Sequence, residues 1–270
     1  MEQKCNVGLP INVGFIGAGN MAKAIGEGLT HSGMIKPSQL YISAPSDRNL
    51  ETWKALGAHT SHNNGFVVEH SDIVFIAVKP HILDSAIENM KATLAQLVPT
   101  KLFVSVLAGT TLEVLEKKLS EVVTEARVIR VMPNTPMMVG AGVSVYSAGR
   151  RTTSEDLTMI GNILSVGGIS EMVPESLINA VGAVTGSGPA FVYIMIEALS
   201  DGAVKMGLPR SMALQFSAQT VFGAAKMVLQ TKSLGSTITG VHAMECGGVR
   251  SALMDAVEAA AKRSAELCPK

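Results

Sequence analysis

Apolar residues along this chain follow two patterns, and the change from one to the other divides it. In the first part, short apolar blocks alternate with stretches whose apolar residues recur every three or four positions. The blocks are Val13 with Phe15 and Ile16, Leu40–Ser43, Ile73–Val78, Leu102–Leu107, Val128–Met132 and a last short one at Val143–Tyr146. Ile73–Val78 is apolar without a break, the mark of a strand buried on both faces of a parallel sheet. Between the blocks, Met21, Ala24, Ile25, Gly28 and Leu29 share helical spacing, as do stretches at 53–56 (closed by Gly57), 82–97 and 112–119. A Thr110-x-x-Glu113 box predicts the start of the 112–119 helix. Strand–helix alternation of this kind predicts a doubly wound sheet.

From about Pro174 the strand-like blocks stop, and the chain becomes rich in Ala, Met and Gly. Helices are predicted over 176–184, 191–206 and 211–229 and within 242–266. Thr185-Gly-Ser-Gly-Pro-Ala190 and Gly207-Leu-Pro209 form the breaks. These helices are too apolar to be solvated on every face, which predicts a large obligate interface between two copies. Met195, Met206, Met212, Met227 and Met244 read as core and interface filler. The expected fold is an α/β Rossmann-type N-terminal domain over 1–173 and an all-α C-terminal dimerisation domain over 174–270.

The chemistry begins at Val13-Gly-Phe-Ile-Gly-Ala-Gly-Asn-Met-Ala22, where a strand runs through a G-x-G-x-x-A turn into a helix. In that context the turn reads as a dinucleotide site. Gly17 permits the tight turn, Gly19 lets a pyrophosphate approach the backbone, and Ala22 lets the helix pack on the strand. The pyrophosphate then rests on the helix N-terminus, where free N–H groups favour an anion. The second strand ends Ser43-Ala-Pro-Ser46 without an acid at its tip, followed by Asp47-Arg48. Ser43, Ser46 and Arg48 suit a ribose 2′-phosphate, so NADPH is the expected cofactor. Asp47 keeps NADH as an alternative. Asn63-Asn64 are expected on a loop facing the adenosine. Lys79, after the third block, can meet the ribose or a phosphate, and the small residues Ala108 and Gly109 leave room for the nicotinamide half.

Composition removes several function classes. The chain has 270 residues, 47% hydrophobic and 16% charged, which fits a compact protein of two domains. Its 22 basic and 22 acidic residues cancel, so no basic footprint for nucleic acid is present. No apolar run approaching the length of a membrane helix is read, and Met1–Pro10 lacks a secretion or transit signal. Cys5, Cys246 and Cys268 are scattered, which suggests a reducing compartment. A cytoplasmic protein is expected, with association with mitochondria left open. His59, His62 and His70 lack companions at metal-ligand spacing and read as surface residues, with no metal site.

With these features in view, the chain resembles the pyrroline-5-carboxylate reductase family over nearly its whole length. The likeness rests on residues 14–22, Ala-Val-Lys-Pro-His (77–81), Arg-Val-Ile-Arg-Val-Met-Pro-Asn-Thr-Pro (127–136), Thr-Gly-Ser-Gly-Pro-Ala (185–190), Asp-Gly-Ala-Val-Lys-Met-Gly-Leu-Pro-Arg (201–210) and Glu-Cys-Gly-Gly-Val-Arg-Ser (245–251). It implies reduction of 1-pyrroline-5-carboxylate to proline, NADPH as usual donor, and an obligate dimer able to assemble into a decamer. It implies cofactor contacts at Ile16, Gly17, Ala18, Gly19, Asn20 and Met21, at the second strand tip with Ser43, Ala44, Ser46 and Arg48, and at Asn64. Further contacts are implied at Ala77, Val78, Lys79 and Pro80 and at Val106, Leu107 and Ala108. Thr237 matches the residue that the family places on the ring nitrogen, and it is the catalytic candidate. Gly235, Ser236 and Thr237 together offer N–H donors for the substrate carboxylate.

Two departures from the family stand out. Ala44 replaces a frequent Ser. Before Thr237-Ile-x-Gly the family carries Asp-x-Val and Ser-Pro-Gly-Gly, whereas here the chain reads Lys232-Ser-Leu-Gly-Ser-Thr237, and Lys232 is the nearest match to an acidic substrate-side residue. The 233–240 segment is expected at the dimer seam, close to the partner's nicotinamide site. The shortening motivates the alternative of a catalytically impaired NADP-binding relative. A 3-hydroxyacid-type dehydrogenase is a further alternative; it wants a Lys within the helix after the Gly-Pro break, where only Lys205 is present, near that helix's end.

Overall fold

The computed structural model describes residues 8–96, 98–232 and 238–267. Val13–Ile16 (β1) leads into Asn20–His31 (α1), followed by Leu40–Ser43 (β2), Leu50–Leu56 (α2), His59–Ser61 (β3), Asn64–His70 (α3), Ile73–Ile76 (β4) and Leu83–Thr93 (α4). Thr100–Ser105 (β5), Leu112–Leu119 (α5), Glu125–Met132 (β6), Gly142–Ala148 (β7), Ser154–Ser165 (α6), Gly168–Met172 (β8) and Ile178–Thr185 (α7) complete the first unit's order. The strands form one eight-stranded sheet, ordered β3-β2-β1-β4-β5-β6-β7-β8. Neighbours from β3 across to β6 are parallel, β7 runs antiparallel to β6, and β8 is parallel to β7.

The unbroken apolar blocks have a physical cause, because the central strands bury both faces. Phe15 joins one core with Ile25, Trp53, Phe75 and Ile160, while its neighbour Ile16 joins the other with Val67, Val74, Ile87 and Leu115. The Phe15 ring lies between Trp53 (centroids 5.8 Å apart) and Phe75 (5.1 Å). α1 reaches this stack because Gly26 carries no side chain; a Cβ there meets the Trp53 ring at 2.5 Å.

Several elements lie outside the sequence reading. β3 and α3 occupy the stretch read as polar loop, and Asn64 is the buried first residue of α3 rather than a loop residue. β3 is a short polar edge strand, and α3 buries only Val67 and Val68 as large apolar residues, so neither leaves a clear period. α6 also goes unread, although Thr153 and Asp156 form a reciprocal capping box at its start. β8 continues the sheet past the strand read as last; it is a short, half-exposed edge strand without an apolar block. α5 is capped by Thr111, whose side chain accepts from Val114 N at 3.4 Å, one residue later than the predicted box.

Residues up to Gly186, with those from Arg263 on, form one compact unit, and Ser187–Lys262 form the other. These compact units part after Gly186, because α7 packs with the sheet. Ile178 and Ala183 are buried, and Asn134 Nδ2 donates to Thr185 O at 2.9 Å. The second unit contains Gly188–Lys205 (α8), Arg210–Thr231 (α9), Ile238–Cys246 (α10) and most of Val249–Glu266 (α11). Pro189 sits in the first turn of α8, and Gly247-Gly248 parts α10 from α11 where one helix had been read. α8 packs on α9 with Ser200, Ala213 and Ser217 buried, small residues that let two helices approach closely. Tyr193, Ile194, Leu199, Phe216, Phe222 and Met227 are left exposed. Contrary to the sequence reading, the helical stretch Glu175–Lys205 is long and apolar enough to cross a membrane by length and composition, with a window mean hydropathy of 1.4 and 17% of that window buried.

α9 ends at Lys232, whose φ of 56° is the one left-handed value outside glycine among the described residues. A side chain in that region is strained, and glycine is not. Lys232→Gly is expected to stabilise the protein by about 0.5–1 kcal/mol, read as a rise in the urea midpoint.

Candidate cofactor site

The parallel strands end in register. Ile16 lies opposite both Ser43 and Ile76, and Ile76 lies opposite Ser105. The ladder extends one residue further, with Gly17 N donating to Ser43 O (2.9 Å), Ala77 N to Ile16 O (2.8 Å) and Val106 N to Ile76 O (3.1 Å). Gly17, Ala44, Ala77 and Val106 therefore line one carboxyl edge of the sheet. Strand order reverses between β1 and β4, and ligands of open α/β sheets bind in the crevice at that point.

The turn after β1 fits a pyrophosphate. Gly17 adopts φ +104°, and a Cβ on it meets Ala77 O at 2.7 Å, so conformation and space both demand glycine. Gly19 is the N-cap of α1, and a Cβ on it meets nothing within 4 Å, so open space borders the backbone where a phosphate must approach. No side chain caps α1 and no acid stands in its first turn, which leaves the first N–H groups to an external anion. Ala18 and Ala22 are buried beneath the turn, Met21 is half-buried and Asn20 is exposed.

The tip of β2 differs from the sequence reading. Ser43 is fully buried, and its hydroxyl donates to Asn64 Oδ1 at 2.7 Å. Asn64 in turn donates from Nδ2 to Ala86 O (3.1 Å) and from its backbone N–H to Asn89 Oδ1 (2.8 Å). Ser43 is thus corrected from phosphate ligand to structural tie, and the Asn64 amide is spent on protein partners rather than facing the adenosine. Ala44 follows at the tip, and Ser46 and Arg48 are exposed beyond it. Arg48 has no ion-pair partner among the described residues. Asp47 lies 3.5 Å from Lys54 Nζ, and Glu51 lies 3.0 Å from the same ammonium. Glu51 first and Asp47 second hold the Lys54 pKa above its ordinary value.

Further along the edge, Ala77 and Val78 are half-buried while Lys79 and Pro80 are exposed. Ile16 and Leu107 bury their side chains in the core and can offer a ligand backbone only. Val106 is half-buried and Ala108 exposed at the tip of β5. Gly235, Ser236 and Thr237 lie outside the described residues. Lys205 is the exposed last residue of α8. His59 and His70 both stack on Tyr41, at 4.7 and 5.6 Å between ring centroids.

A buried charge in β6 escaped the sequence reading. Arg130 in β6 is buried and donates from Nη1 to Glu175 Oε1 at 2.8 Å; the same oxygen accepts from Leu112 N, at the start of α5, at 2.7 Å. Sheet, α5 and the approach to α7 are thereby tied at one carboxylate. The signal was an arginine inside an apolar block, since a buried guanidinium requires a partner.

Comparison with known proteins matches two family models, one to each part of the chain. A family model described as NADP oxidoreductase coenzyme F420-dependent matches residues 12–109, and one described as pyrroline-5-carboxylate reductase dimerisation matches 175–267. Pyrroline-5-carboxylate reductase 3 of Xenopus laevis is 44% identical over 99% of this chain and 99% of its own. The chain belongs to the pyrroline-5-carboxylate reductase family. A reductase structure from Coxiella burnetii aligns with a TM-score of 0.86 at 32% identity, covering 97% of this chain and 100% of that one. A Plasmodium falciparum pyrroline carboxylate reductase solved with NADP bound aligns with a TM-score of 0.81 at 32% identity, covering 96% and 99%. Membership gives the exposed apolar faces of α8 and α9 a cover, because the dimerisation match spans the stretch whose composition also suits a membrane.

Two substitutions separate tie from ligand. Ser43→Ala leaves the buried Asn64 oxygen without its donor and is expected to cost about 1–3 kcal/mol of stability. The ratio of NADPH to NADH dissociation constants should stay where it was. Arg48→Ala is expected to leave stability unchanged and to cut the NADPH preference about tenfold, a loss of about 1.4 kcal/mol. Denaturant melts and cofactor fluorescence titrations read both.

Proposed function

We propose that this chain reduces 1-pyrroline-5-carboxylate to L-proline with NADPH as donor, as a homo-oligomer built from dimers. The observation that carries the reading is one chain joining a glycine turn shaped for a dinucleotide to a segment that matches the reductase dimerisation model. When bound, NADPH would supply the hydride for C5 of the N-protonated cyclic imine. The chain's own residues bind and orient. Gly17 and Gly19 admit the pyrophosphate, and the start of α1 holds its charge. Lys79, Ser46 and Arg48 supply the side-chain donors along the edge, and NADH is the weaker alternative. Thr237 is assigned to hydrogen-bond the imine nitrogen, and Gly235 and Ser236 to hold the substrate carboxylate through backbone N–H groups. No dedicated proton-transfer side chain is assigned, so most of the acceleration comes from positioning.

The reductase relatives support turnover and lend nothing to the impaired alternative weighed from the sequence. The shortened stretch before Thr237 then bears on how tightly the imine is held, not on the class of reaction. Dimers are further proposed to assemble into a decamer, and the enzyme to act in the cytoplasm, a placement suggested by its scattered cysteines. Neither nucleic acid nor membrane enters the proposed function.

Purified protein is expected to oxidise NADPH when 1-pyrroline-5-carboxylate is added, followed by loss of cofactor absorbance, and to release proline. Absence of turnover at saturating imine sinks the proposal. Restoring an Asp-x-Val…Ser-Pro-Gly-Gly segment before Thr237 is expected to lower KM for the imine several-fold and to leave the NADPH dissociation constant unchanged. Sedimentation at micromolar concentration should show a dimer or a multiple of it, and a monomer overturns the oligomer.

A further inference from the structure

The tip of β2 poses a problem of donors. A 2′-phosphate carries nearly two negative charges at neutral pH. The Ser43 hydroxyl is committed to Asn64, Ala44 brings none, and Lys54 is neutralised by Asp47 and Glu51. Ser46 and Arg48 remain on the tip itself. One more group stands there. His62, just after β3, places Nδ1 2.8 Å from Ala44 O and Nε2 3.5 Å from Asp47 Oδ1.

Its position is well fixed for an exposed side chain. Ala44 N donates to Ser61 O at 3.2 Å, and Asn63 N donates to Ser61 Oγ at 3.0 Å. The Ser43–Asn64 bond clamps the same two segments from beneath. The imidazole is thus hung from the tip of β2 by one nitrogen, with the other turned to the exposed Asp47 carboxylate. When Nδ1 carries the proton that bonds Ala44 O, neutral Nε2 is an acceptor, and only the protonated ring donates from both nitrogens.

We propose that His62 is a specificity-determining residue that donates from Nε2 to the cofactor's ribose 2′-phosphate, in competition with Asp47. Without the phosphate, the Asp47 carboxylate is the nearest anion to that nitrogen. With it, a dianion replaces a monoanion as the partner, and a compact donor takes the place that the Ser43 hydroxyl and Ala44 leave vacant. The reading rests on NADPH being the donor, as proposed above.

The surrounding charges set the sign of the pH dependence. Asp47 faces His62 from the turn after β2, which also carries Arg48, and α2 carries Lys54, paired with that same Asp47, and Glu51, paired with Lys54. On β3 the titratable group is His59, held against Tyr41, and α3 carries none before Glu69. A phosphate on Nε2 favours the protonated ring, which alone donates from both nitrogens, so NADPH binding takes up a proton. The NADPH advantage is then larger at lower pH and fades as pH rises. NADH, lacking the phosphate, gains nothing from the proton.

The test measures dissociation constants of NADPH and NADH by fluorescence at pH 6.5 and pH 8, for the wild type, His62→Asn and His62→Gln. His62→Asn keeps a donor for Ala44 O and removes Nε2; His62→Gln keeps a reach like Nε2 without a titratable charge. Referring each ratio to His62→Asn cancels the phosphate's own titration. The NADPH preference of the wild type should exceed that of His62→Asn about tenfold at pH 6.5 and only about twofold at pH 8. His62→Gln should fall between them with no dependence on pH, and NADH constants should not move. Proton NMR at pH 6.5 should show the His62 ring signals moving towards the protonated form on addition of NADPH and not of NADH. Variants that retain the wild-type ratio at both pH values, or His62 ring signals that NADPH leaves unmoved, overturn the assignment to His62. A wild type that favours NADH overturns the cofactor reading itself, and the two failures are told apart by the wild-type ratio alone.

Discussion

The first unit depends on how the chain leaves β1. Ile16 and Phe15 are buried on opposite faces, so the strand cannot drift at its end, yet a helix must begin at Asn20. The reversal is made at Gly17-Ala18-Gly19, against the backbone of Ala77 on the neighbouring strand tip. Only glycine combines φ +104° with that approach. The result is a helix start that lacks a side-chain cap and borders open space at Gly19, and those two properties make the turn an anion site. Fold constraint and binding property are one arrangement of backbone.

Around that turn, polar side chains divide by burial into ties and ligand donors. Ser43, Asn64, Asn134 and Arg130 are buried, and each spends its hydrogen bonds on protein partners; they hold strand tips and loops in place. Ser46, Arg48, His62 and Lys79 are exposed along the edge and keep donors that a ligand can use. Residue type alone cannot make this division, because a serine at a strand tip has the same chemistry whether its hydroxyl points into the core or out to a phosphate. Ser43 shows the consequence, reading as a ligand in the sequence and serving as a tie in the fold.

The second unit solves a different problem. α8 and α9 approach through Ser200, Ala213 and Ser217, and they leave Tyr193, Ile194, Phe216 and Phe222 outside. Small residues inside and large apolar ones outside invert the usual order of a solvated helix pair. Such a surface needs a partner, and membership of a family with a dimerisation segment over 175–267 names its kind.

The sequence by itself determined the parallel core strands, the glycine turn, the change to an all-helical second half and the family. Each of these is written in contiguous residues: unbroken apolar blocks, glycines at fixed offsets, a loss of strand-like blocks. It missed β3 and β8, the short strands at the two edges of the sheet, and α3, whose seven residues are too few to show a period, and it missed α6 despite the capping box at Thr153. Tertiary structure alone decided that Ser43 bonds Asn64, that Glu175 serves both Arg130 and α5, and that His62 hangs from Ala44. These partners are separated by 21, 45, 63 and 18 positions along the chain. Hydrogen bonds act over about 3 Å in space. A sequence shows which groups can make them, and the packing of the sheet decides which of those groups meet.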